Sequence, residues 1–370
     1  MLSFWERDAL LNYDFVVIGG GIVGLSTAIE LKEAEPKSSV LLLEAGVLPT
    51  GASTKNAGFA CFGSLTEILS DLEKLSSSQV QDLVALRWSG LQKLRDRLGD
   101  KAIDYKNYGG YELLSSDQLI AVEKIEEVNA LLKPILGADV YHLEEDANRF
   151  GFDSNRVKAV VYNPFEGQIH TGRMMQALQQ KATSIGVQVL TGVKVNSLQE
   201  ASSAVEVVTD HLTFTCVKVA VCTNAFSLKL IPDLDLKPGR GVVLVTKPIA
   251  QLPFQGTFHY EEGYYYFRNY HDRVIFGGGR NLDIYGEETT EFAIRDLIKE
   301  KLLSDLKTLI LPNTPFEIDQ FWSGIMAFGP NKQPILKQVS DHVFAGVRLG
   351  GMGVAIGSKL GEDLANKMLA

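Results

Sequence analysis

Residues 14–44 read DFVVIGGGIVGLSTAIELKEAEPKSSVLLLE. The stretch contains, in order, an apolar run, a glycine turn, a segment with helical spacing, a second apolar run and an acid, at 15–18, Gly19 to Gly24, 22–34, 40–43 and Glu44. A strand, glycine turn, helix, strand and acid in this order form the dinucleotide-binding βαβ fingerprint. The sequence therefore predicts a nucleotide-binding unit in this stretch.

The three glycines of the fingerprint have different physical roles. Gly19 permits the tight turn out of the strand, Gly21 lets the backbone approach a pyrophosphate, and Gly24 lets the helix pack closely on the strand. The pyrophosphate would lie at the helix N-terminus, where unpaired N–H groups favour an anion. Glu44 can accept a hydrogen bond from a ribose hydroxyl. The fingerprint alone does not distinguish NAD from FAD, and a glycine-rich turn that binds nothing is the alternative.

Length and charge limit the class of protein further. The chain has 370 residues, which is long enough for two domains with their own cores. Its hydrophobic content of 45% and charged content of 22% are typical of a soluble α/β protein. With 36 basic against 45 acidic residues, the net charge is −9. This balance argues against a surface for nucleic acid or anionic membranes.

Neither cysteine nor histidine spacing predicts a metal site. Cys61, Cys216 and Cys222 form no CxxC pair, and the six histidines are scattered. A cytoplasmic location fits these cysteines, and the start MLSFWERDALLN lacks the features of a signal peptide. The longest apolar run, residues 15–31, is broken by four glycines, so we interpret it as a strand and a helix instead of a membrane span.

Periodicity and turn residues predict an alternation of helices and short strands. Predicted helices lie at 22–34, 79–98, 119–132, 172–185, 294–310 and 355–368. Predicted strands lie at 15–18, 40–43, 108–116, 157–162, 187–190, 193–198, 205–208, 212–216, 219–222, 242–246, 264–270 and 274–277. The last three suit an antiparallel sheet with one covered face, because they are rich in aromatic and β-branched residues.

The segment GASTKNAG, Gly51 to Gly58, follows the strand that carries Glu44. Ligands of open α/β sheets bind near the carboxyl ends of the strands, which is where this segment starts. Its small residues allow backbone to approach a flat ring, and Ser53, Thr54 and Asn56 can donate hydrogen bonds to ring carbonyls and nitrogens. A mobile surface loop is the alternative.

Eight motifs together make the prediction more specific. They are VVIGGGIVGLSTA, LLLEAG, GASTKNAG, QIHTGRMMQAL, VAVCTNA, YYYFRNYHDRVIFGGG, FWSGIMAFGPNKQPI and GVRLGGMGVAIGSKLG. In this order and over nearly the whole chain they resemble the D-amino-acid-oxidase family of FAD-dependent oxidoreductases. The TNA, YFR and FGGG elements are most similar to the branch that contains γ-glutamylputrescine oxidoreductase.

The resemblance implies a mixed α/β fold with two domains. A discontinuous, Rossmann-like FAD-binding domain would comprise residues 1–78, 150–240 and 321–370. An inserted substrate domain, built on an antiparallel or mixed sheet, would comprise residues 79–149 and 241–320.

The resemblance also implies how the cofactor is bound. Gly19, Gly21 and Gly24 would hold the pyrophosphate, Glu44 the adenosine ribose, and Val195 the adenine. Thr223, Asn224 and Ala225 would close over the nucleotide. The isoalloxazine would be lined by Ser53, Thr54, Lys55, Asn56 and Ala57, and its pyrimidine edge would meet Gly350, Gly351, Met352, Gly353 and the N-terminus of the last helix, which favours anionic reduced flavin.

One departure from the family pattern concerns the substrate. Glycine and D-amino-acid oxidases have an arginine that binds the substrate carboxylate in the motif that here reads SGIMAF, but this chain has Met326. The site therefore lacks that bidentate partner. The change favours an amine substrate, or an amino acid held by another cation. Arg268 and Arg348 are the candidates, with ordinary surface or cross-strand charges as the alternative.

The pattern and the resemblance also suggest positions for several other side chains. Tyr264, Tyr265 and Tyr266 alternate across a strand, and the family position favours Tyr266 as the residue that faces the substrate. Lys55 would stabilise reduced flavin or assist oxygen reduction. We expect His259 to be a hydrogen-bonded sheet residue instead of a base. Cys61 is expected to pack, so FAD would be noncovalent.

The predicted activity is oxidation of the C–N bond of an amine or amino acid, with hydride transfer to flavin N5 and reoxidation by O2 or another electron acceptor. The predicted partner is therefore a small-molecule amine or amino acid. Two alternatives remain open: oxidation of a 2-hydroxy acid, for which a carboxylate clamp and a histidine base are not evident, and a flavin-binding protein without turnover. The sequence does not predict an oligomeric state.

Overall fold

Two eight-stranded sheets organise the chain, which a computed structural model describes over all 370 residues. The strands are β1 Asn12–Ile18, β2 Val40–Glu44, β3 Phe59–Ala60, β4 Gly110–Leu114, β5 His142–Leu143, β6 Ala159–Asn163, β7 Gly167–Gln168, β8 Gln188–Thr191, β9 Val195–Glu200, β10 Val205–Thr209, β11 Thr213–Val221, β12 Lys237–Thr246, β13 Thr257–Tyr260, β14 Tyr265–Tyr270, β15 Arg273–Gly278, β16 Ile318–Phe328, β17 Ile335–Gln338 and β18 Val343–Val347.

Ten α-helices connect and cover these strands. They are α1 Phe4–Leu10, α2 Ile22–Ala34, α3 Ala52–Lys55, α4 Leu65–Leu72, α5 Ser77–Leu98, α6 Asp100–Ile103, α7 Ile125–Leu136, α8 Thr171–Ser184, α9 Asp296–Asp305 and α10 Gly353–Leu369. Short 3-10 turns occur at Ser116–Lys124, Ala147–Phe150, Asn224–Lys229 and Arg280–Leu282, and a π-helical turn at Leu306–Ile310.

The first sheet has β1 at its centre, in the order β17-β18-β11-β1-β2-β8. Val16 of β1 lies opposite Leu41 of β2 and Val219 of β11 in parallel register. These apolar runs suit strands that are covered on both faces, as parallel sheets require. Strands β9 and β10 extend the sheet as an antiparallel pair on the first half of β11.

Helix α2 lies between this sheet and the last helix. Nine of its residues are buried, because it is apolar on nearly every face. Helix α10 crosses it closely at two glycines: a Cβ atom added at Gly357 would be 2.6 Å from the Ile22 side chain, and one at Gly361 would be 2.5 Å from the Ser26 side chain. The chain's last helix therefore packs directly on the helix that follows the glycine turn.

The second sheet is mainly antiparallel, in the order β16-β12-β15-β14-β13-β4-β6-β5. Aromatic residues fill one of its faces; Phe258 and Phe267 stack with their ring centroids 4.9 Å apart, and both are fully buried. Helix α9 packs against the same core through Ile298 and Leu302. The opposite face of the sheet is left to line a cavity.

The predicted fold class is confirmed, and the helix at 22–34 has the predicted bounds. Some predicted elements differ. The strands at 212–216 and 219–222 are one strand, β11; the helix at 119–132 is a 3-10 turn followed by α7; and the helix at 294–310 ends in a π-helical turn. The short helices α1 and α4 were not predicted.

Sheet membership also departs from the predicted domain bounds in two places. Strands β6 and β16 lie mostly or wholly in the ranges assigned to the FAD-binding domain, but both belong to the second sheet. There β6 pairs with β4, and β16 pairs with β12. Helix α5, assigned to the substrate domain, packs on α10 through Gly90, whose added Cβ would be 2.1 Å from the Ala355 carbonyl oxygen. The division into two domains itself remains a prediction.

None of the helices combines the length and the apolar character that crossing a bilayer would require.

Candidate active site

A cavity of about 810 Å³ lies between the two sheets. One end is formed by the glycine turn after β1, the end of β2 and Val195 of β9. The other end is formed by the second sheet, including Gly241, Tyr266 and Met326. The cavity thus joins the nucleotide-binding fingerprint to the sheet predicted to carry the substrate.

The glycine turn has room only for glycine at its critical positions. Gly19 has a φ angle of +108°, and a Cβ atom there would be 2.8 Å from the Cys222 carbonyl oxygen. A Cβ atom at Gly24 would be 1.9 Å from the Gly19 carbonyl oxygen, so Gly24 serves close helix packing and does not line the cavity. Gly21 lines the cavity, and a Cβ atom on it would be 2.9 Å from Ser53 Oγ.

Glu44 ends β2 beside this turn. Its two carboxylate oxygens accept the backbone N–H groups of Gly20 at 2.8 Å and Gly46 at 2.9 Å. An ionised carboxylate has further acceptor capacity beyond two bonds. Since Glu44 also lines the cavity, it retains the means to accept a ribose hydroxyl.

The GASTKNAG segment forms a single helical turn, α3, and then turns back along the cavity. Asn56 holds this turn: its amide donates to the carbonyls of Ala52 and Ser53, and its Oδ1 accepts from Gly58 N–H and Thr171 Oγ1, both at 2.9 Å. The Asn56 side chain is therefore occupied within the protein. Ser53, Lys55, Asn56 and Ala57 line the cavity, whereas Thr54 does not and donates its hydroxyl to the carbonyls of Pro49 and Gly51.

The C-terminal glycine run completes the wall. Gly350 and Gly351 have φ angles of +56° and +86°, which favour glycine. Gly350 to Gly353 all line the cavity, and α10 begins at Gly353. The N–H groups of the first turn of a helix have no intrahelical acceptor. They provide the positive helix end that the resemblance placed at the flavin.

The two arginines proposed for a substrate carboxylate do not line the cavity. Arg268 is 3% exposed and donates to the carbonyls of Ala57, Ile169 and Asn269, and burial lowers its pKa to about 10. Arg348 donates to the carbonyls of Gln333 and Asp235 and to Asn331 Oδ1. The structure corrects the expectation for both, because each guanidinium is used to join chain segments.

Tyr266 lies on the cavity face of the second sheet, whereas Tyr265 points into the core and stacks on Tyr260. Tyr266 lies directly opposite His259 on β13 and Gly277 on β15. Its ring covers Gly277, where a Cβ atom would be 2.7 Å from Tyr266 Cε2. Burial raises the pKa of the Tyr266 hydroxyl to about 12, so the phenol stays neutral.

His259 lies next to Tyr266, as a hydrogen-bonded sheet residue that also lines the cavity. His259 Nε2 lies 3.3 Å from Glu166 Oε2. Burial disfavours the imidazolium, but the carboxylates of Glu166, Glu112 and Glu67 outweigh burial and raise the pKa of His259. Cys61, Glu166 and His259 each offer one atom that could bind a metal ion, and these three buried atoms lie within 4.8 Å of one another. Sequence spacing could not show this group, because the three residues lie on separate segments. Burial and Glu166 raise the Cys61 thiol pKa well above its usual value.

Two cations lie on the cavity wall near Met326. Lys55 Nζ lies 5.3 Å from the centroid of the Phe292 ring. Arg280, which the sequence did not single out, places its guanidinium carbon 3.9 Å from the centroid of the Phe328 ring. The position of Arg280, directly after the FGGG motif, was the only sequence signal that could have pointed to it.

The cavity brings together most of the residues predicted to bind the cofactor. They are Gly19, Gly21, Glu44, Ser53, Lys55, Asn56, Ala57, Val195, Thr223, Asn224, Gly350, Gly351, Met352 and Gly353. A glycine turn that tolerates no Cβ, an acid at the end of β2 and a helix N-terminus in one cavity fit a dinucleotide. Fold and cavity define a dinucleotide-binding protein.

A family model described as DAO, FAD dependent oxidoreductase, matches residues 14–367. The chain belongs to this D-amino-acid-oxidase family, and FAD is its cofactor, as the motifs predicted. The cysteines that line the cavity are Cys61 and Cys222; both are buried thiols, with the pKa of Cys222 raised to about 12 by burial. This chemistry agrees with noncovalent FAD.

Among curated proteins, the chain is similar to the probable oxidoreductase OrdL of Haemophilus influenzae, at 23% identity over 96% of this chain and 83% of the relative. It is also similar to γ-glutamylputrescine oxidoreductase of Escherichia coli, at 25% identity over 97% of this chain and 83% of the relative. These relatives span the whole two-sheet fold of this chain.

Solved structures show the same fold. L-Proline dehydrogenase from P. horikoshii superposes with a TM-score of 0.77 at 19% identity, covering 96% of this chain and 93% of that one. Glycine oxidase from Geobacillus kaustophilus superposes with a TM-score of 0.73 at 19% identity, covering 96% and 95%.

Proposed function

We propose that this FAD-dependent oxidoreductase oxidises the C–N bond of an amine or amino acid. The supporting observation is that one cavity contains both the nucleotide turn and the aromatic face of the second sheet, including Tyr266 and Met326. Bound FAD would supply a two-electron acceptor that takes hydride from the carbon attached to nitrogen. The resulting imine is hydrolysed by water to a carbonyl compound and ammonia or a smaller amine.

The protein's part in this reaction is to bind and orient the amine. Phe59 lies edge-on to Tyr266, with ring centroids 5.6 Å apart, and edge-on to His259 at 5.0 Å. The rings of Phe59 and Tyr266 form an apolar wall that excludes water and favours the neutral amine, the form that can release hydride. No strong base at the cavity is required if the amine binds in this form.

One observation favours a second candidate, oxidation of a 2-hydroxy acid. The cavity contains a histidine with a carboxylate behind it, His259 and Glu166, which was not evident from the sequence. A hydroxy acid needs such a base to remove its hydroxyl proton. However, the raised pKa of His259 keeps the imidazole protonated at higher pH than usual and weakens it as a base at neutral pH. We therefore prefer the amine.

An anaerobic reduction assay tests the proposal. The holoenzyme is mixed without oxygen with amines, amino acids and 2-hydroxy acids in turn, and the visible absorbance of the flavin is followed. We expect bleaching by one of the nitrogen compounds. Bleaching by hydroxy acids alone would support the second candidate, and no bleaching by any compound would support a flavin-binding protein without turnover.

The proposal also covers the electron acceptor, the role of Lys55 and the cellular compartment of the protein. We propose O2 as the acceptor, with Lys55 at the cavity wall as the cation that assists its reduction. All three cysteines are free, which agrees with a reducing compartment such as the cytoplasm. Oxygen uptake after anaerobic reduction, compared in the wild type and Lys55→Met, tests the role of Lys55.

A further inference from the structure

We propose that Arg280 binds the carboxylate of the substrate, so that the amine oxidised is one that carries a carboxylate group. This inference rests on the proposed oxidation of a C–N bond and narrows its substrate from amines in general to amino acids. The carboxylate would be held by a residue of the turn after β15, and not by β16, where the family's arginine is replaced by Met326.

The surroundings of Arg280 fix its side chain beside the cavity. It follows Gly279, whose φ angle of +81° turns the chain out of β15. Its guanidinium lies on the Phe328 ring at 3.9 Å, and its Cδ lies 3.6 Å from where a Cβ atom of Gly239 would be. A cation on an aromatic face is held in position while its N–H edges stay available. The Arg280 side chain is therefore held in position while its guanidinium N–H groups stay free to donate hydrogen bonds.

No protein group uses those donors. Arg280 makes no side-chain hydrogen bond and no salt bridge, unlike Arg268 and Arg348. The acids of the neighbouring turn are occupied elsewhere: Glu287 pairs with Arg240 and Arg295, and Glu288 with Lys237. Burial lowers the pKa of Arg280, and the opposing effects of Tyr264, Glu288 and Glu287 do not offset the loss of water around its charge. An anionic ligand would restore the lost stabilisation.

The position of Arg280 relates directly to Met326. Met326 and Phe328 are two residues apart on β16, so their side chains share one face, about 7 Å apart along the strand. Both line the cavity, and Arg280 lies over Phe328. A guanidinium from the neighbouring turn thus lies on the same cavity wall as position 326.

The other cations of the cavity fit a carboxylate less well. Arg280 is the one arginine in the cavity lining. Lys332 pairs with Glu67 at 3.0 Å and Asp71 at 2.7 Å, and Lys55 lies over Phe292. A guanidinium binds both oxygens of a carboxylate in a planar, bidentate arrangement, which an ammonium group cannot do. Arg280 is therefore the group that best matches an amino acid.

A binding experiment that does not depend on turnover tests this assignment. The holoenzyme is titrated with benzoate and acetate, and with their neutral amides, and the perturbation of the flavin visible spectrum is recorded. Arg280→Met should raise the dissociation constant of the carboxylates by about ten- to hundred-fold, the usual range for a lost charged hydrogen bond, and leave the amides unchanged. Arg280→Lys should fall between these values.

The matched control is Arg149→Met, since Arg149 also lies over a phenylalanine, Phe150 at 4.5 Å, but outside the cavity. FAD content and thermal stability of each variant show whether it is folded. The assignment is overturned if Arg280→Met and Arg280→Lys bind carboxylates as the wild type does, or if the folded wild type shows no preference for carboxylates over amides.

Reduction by substrates then separates this inference from the proposed function. An amino acid and the amine that lacks its carboxylate are compared in the anaerobic assay. If the wild type prefers the amino acid and this preference disappears in Arg280→Met, the proposed function and the role of Arg280 are both supported. If amines reduce the flavin and Arg280→Met changes nothing, only the inference fails. If carboxylates bind through Arg280 but no amine or amino acid reduces the flavin, the proposed function fails.

Discussion

Asn224 Oδ1 accepts the backbone N–H of Arg348 at 3.1 Å, and both residues hold left-handed φ angles, +49° and +65°. Such angles are costly for residues other than glycine, so the surroundings must stabilise them. Asn224 lines the cavity, and Arg348 precedes the C-terminal glycine run. This bond therefore joins the end of β11 to the run that starts α10.

Replacing Asn224 should weaken this junction. Asn224→Ala loses the hydrogen bond and places a less suitable residue at a left-handed angle, so we expect a loss of about 2 kcal/mol in the free energy of unfolding, and weaker FAD binding. Urea unfolding and FAD titration of the apoprotein measure the two effects. Asn224→Gly is the control, because it keeps the angle and loses only the side-chain bond. Equal stability of Asn224→Ala and wild type would show that the angle carries no strain.

Arg268 should act on stability and not on substrate choice. Its removal would leave the carbonyls of Ala57 and Ile169 buried without donors, so Arg268→Met should lower the free energy of unfolding by about 2–4 kcal/mol. Gly58 is part of this arrangement, because a Cβ atom on it would be 2.7 Å from Arg268 Nη2. Chemical denaturation checks the change.

The control for Arg268 is Arg273→Met, on the neighbouring strand, where the guanidinium pairs with the half-exposed Asp319. This surface pair should contribute at most about 1 kcal/mol. A normal stability of Arg268→Met together with a selective loss of carboxylate-bearing substrates would restore the substrate role predicted from the sequence.

The pair of His259 and Glu166 should make stability depend on pH in a defined direction. Because the pKa of His259 is raised in the folded protein, its contribution is fully present below its unfolded pKa of about 6.5 and is lost as the pH rises through the folded pKa. Glu112 and Glu67 act on His259 in the same direction as Glu166. The advantage of wild type over Glu166→Gln should thus be larger at about pH 6 than at about pH 9.

Urea unfolding of the holoenzyme at both values measures this difference. Glu126→Gln, an exposed substitution on α7, is the control and should show no such dependence. An advantage that grows towards alkaline pH would mean that the imidazole is neutral in the folded protein.

The Tyr266 ring occupies the space that a side chain at position 277 would need, so its position should depend on Gly277. Gly277→Ala would place a methyl group 2.7 Å from the ring, and overpacking of this kind costs about 1–3 kcal/mol. We expect a fall in kcat/KM because the ring is displaced into the cavity. Adding Tyr266→Leu should remove the penalty in stability, and a double-mutant cycle measures this coupling. Additive effects of the two substitutions would exclude the proposed contact.

Much of the fold could be predicted because its strongest signals are local. The glycine turn and α2 depend on Gly19, Gly24 and a periodic run of neighbours, so the sequence indicates both. The pairing of β6 with β4 could not be predicted, because strand pairing depends on distant partners, such as Leu113 opposite Val160. Periodicity contains no information on such pairs.

The candidate site was predicted unevenly for the same reason. The residues on the nucleotide side could be predicted because they occupy motif positions, and Gly21, Glu44 and Gly350 line the cavity as expected. The roles of charged side chains could not be predicted, because they depend on which acceptors the fold brings near. Arg268 meets carbonyls from residues 57 and 169, whereas Arg280 meets only a ring.

The packing of α10 on α2 also has a consequence for the order in which the protein is made. The glycine turn emerges from the ribosome early, but Gly353 and the helix that covers Ile22 and Ser26 emerge only near the end of the sequence. Until then the apolar face of α2 is uncovered and the nucleotide site lacks one wall. The nucleotide site is therefore complete only after α10 has been synthesised, and a nascent chain that lacks this helix exposes a surface that favours aggregation.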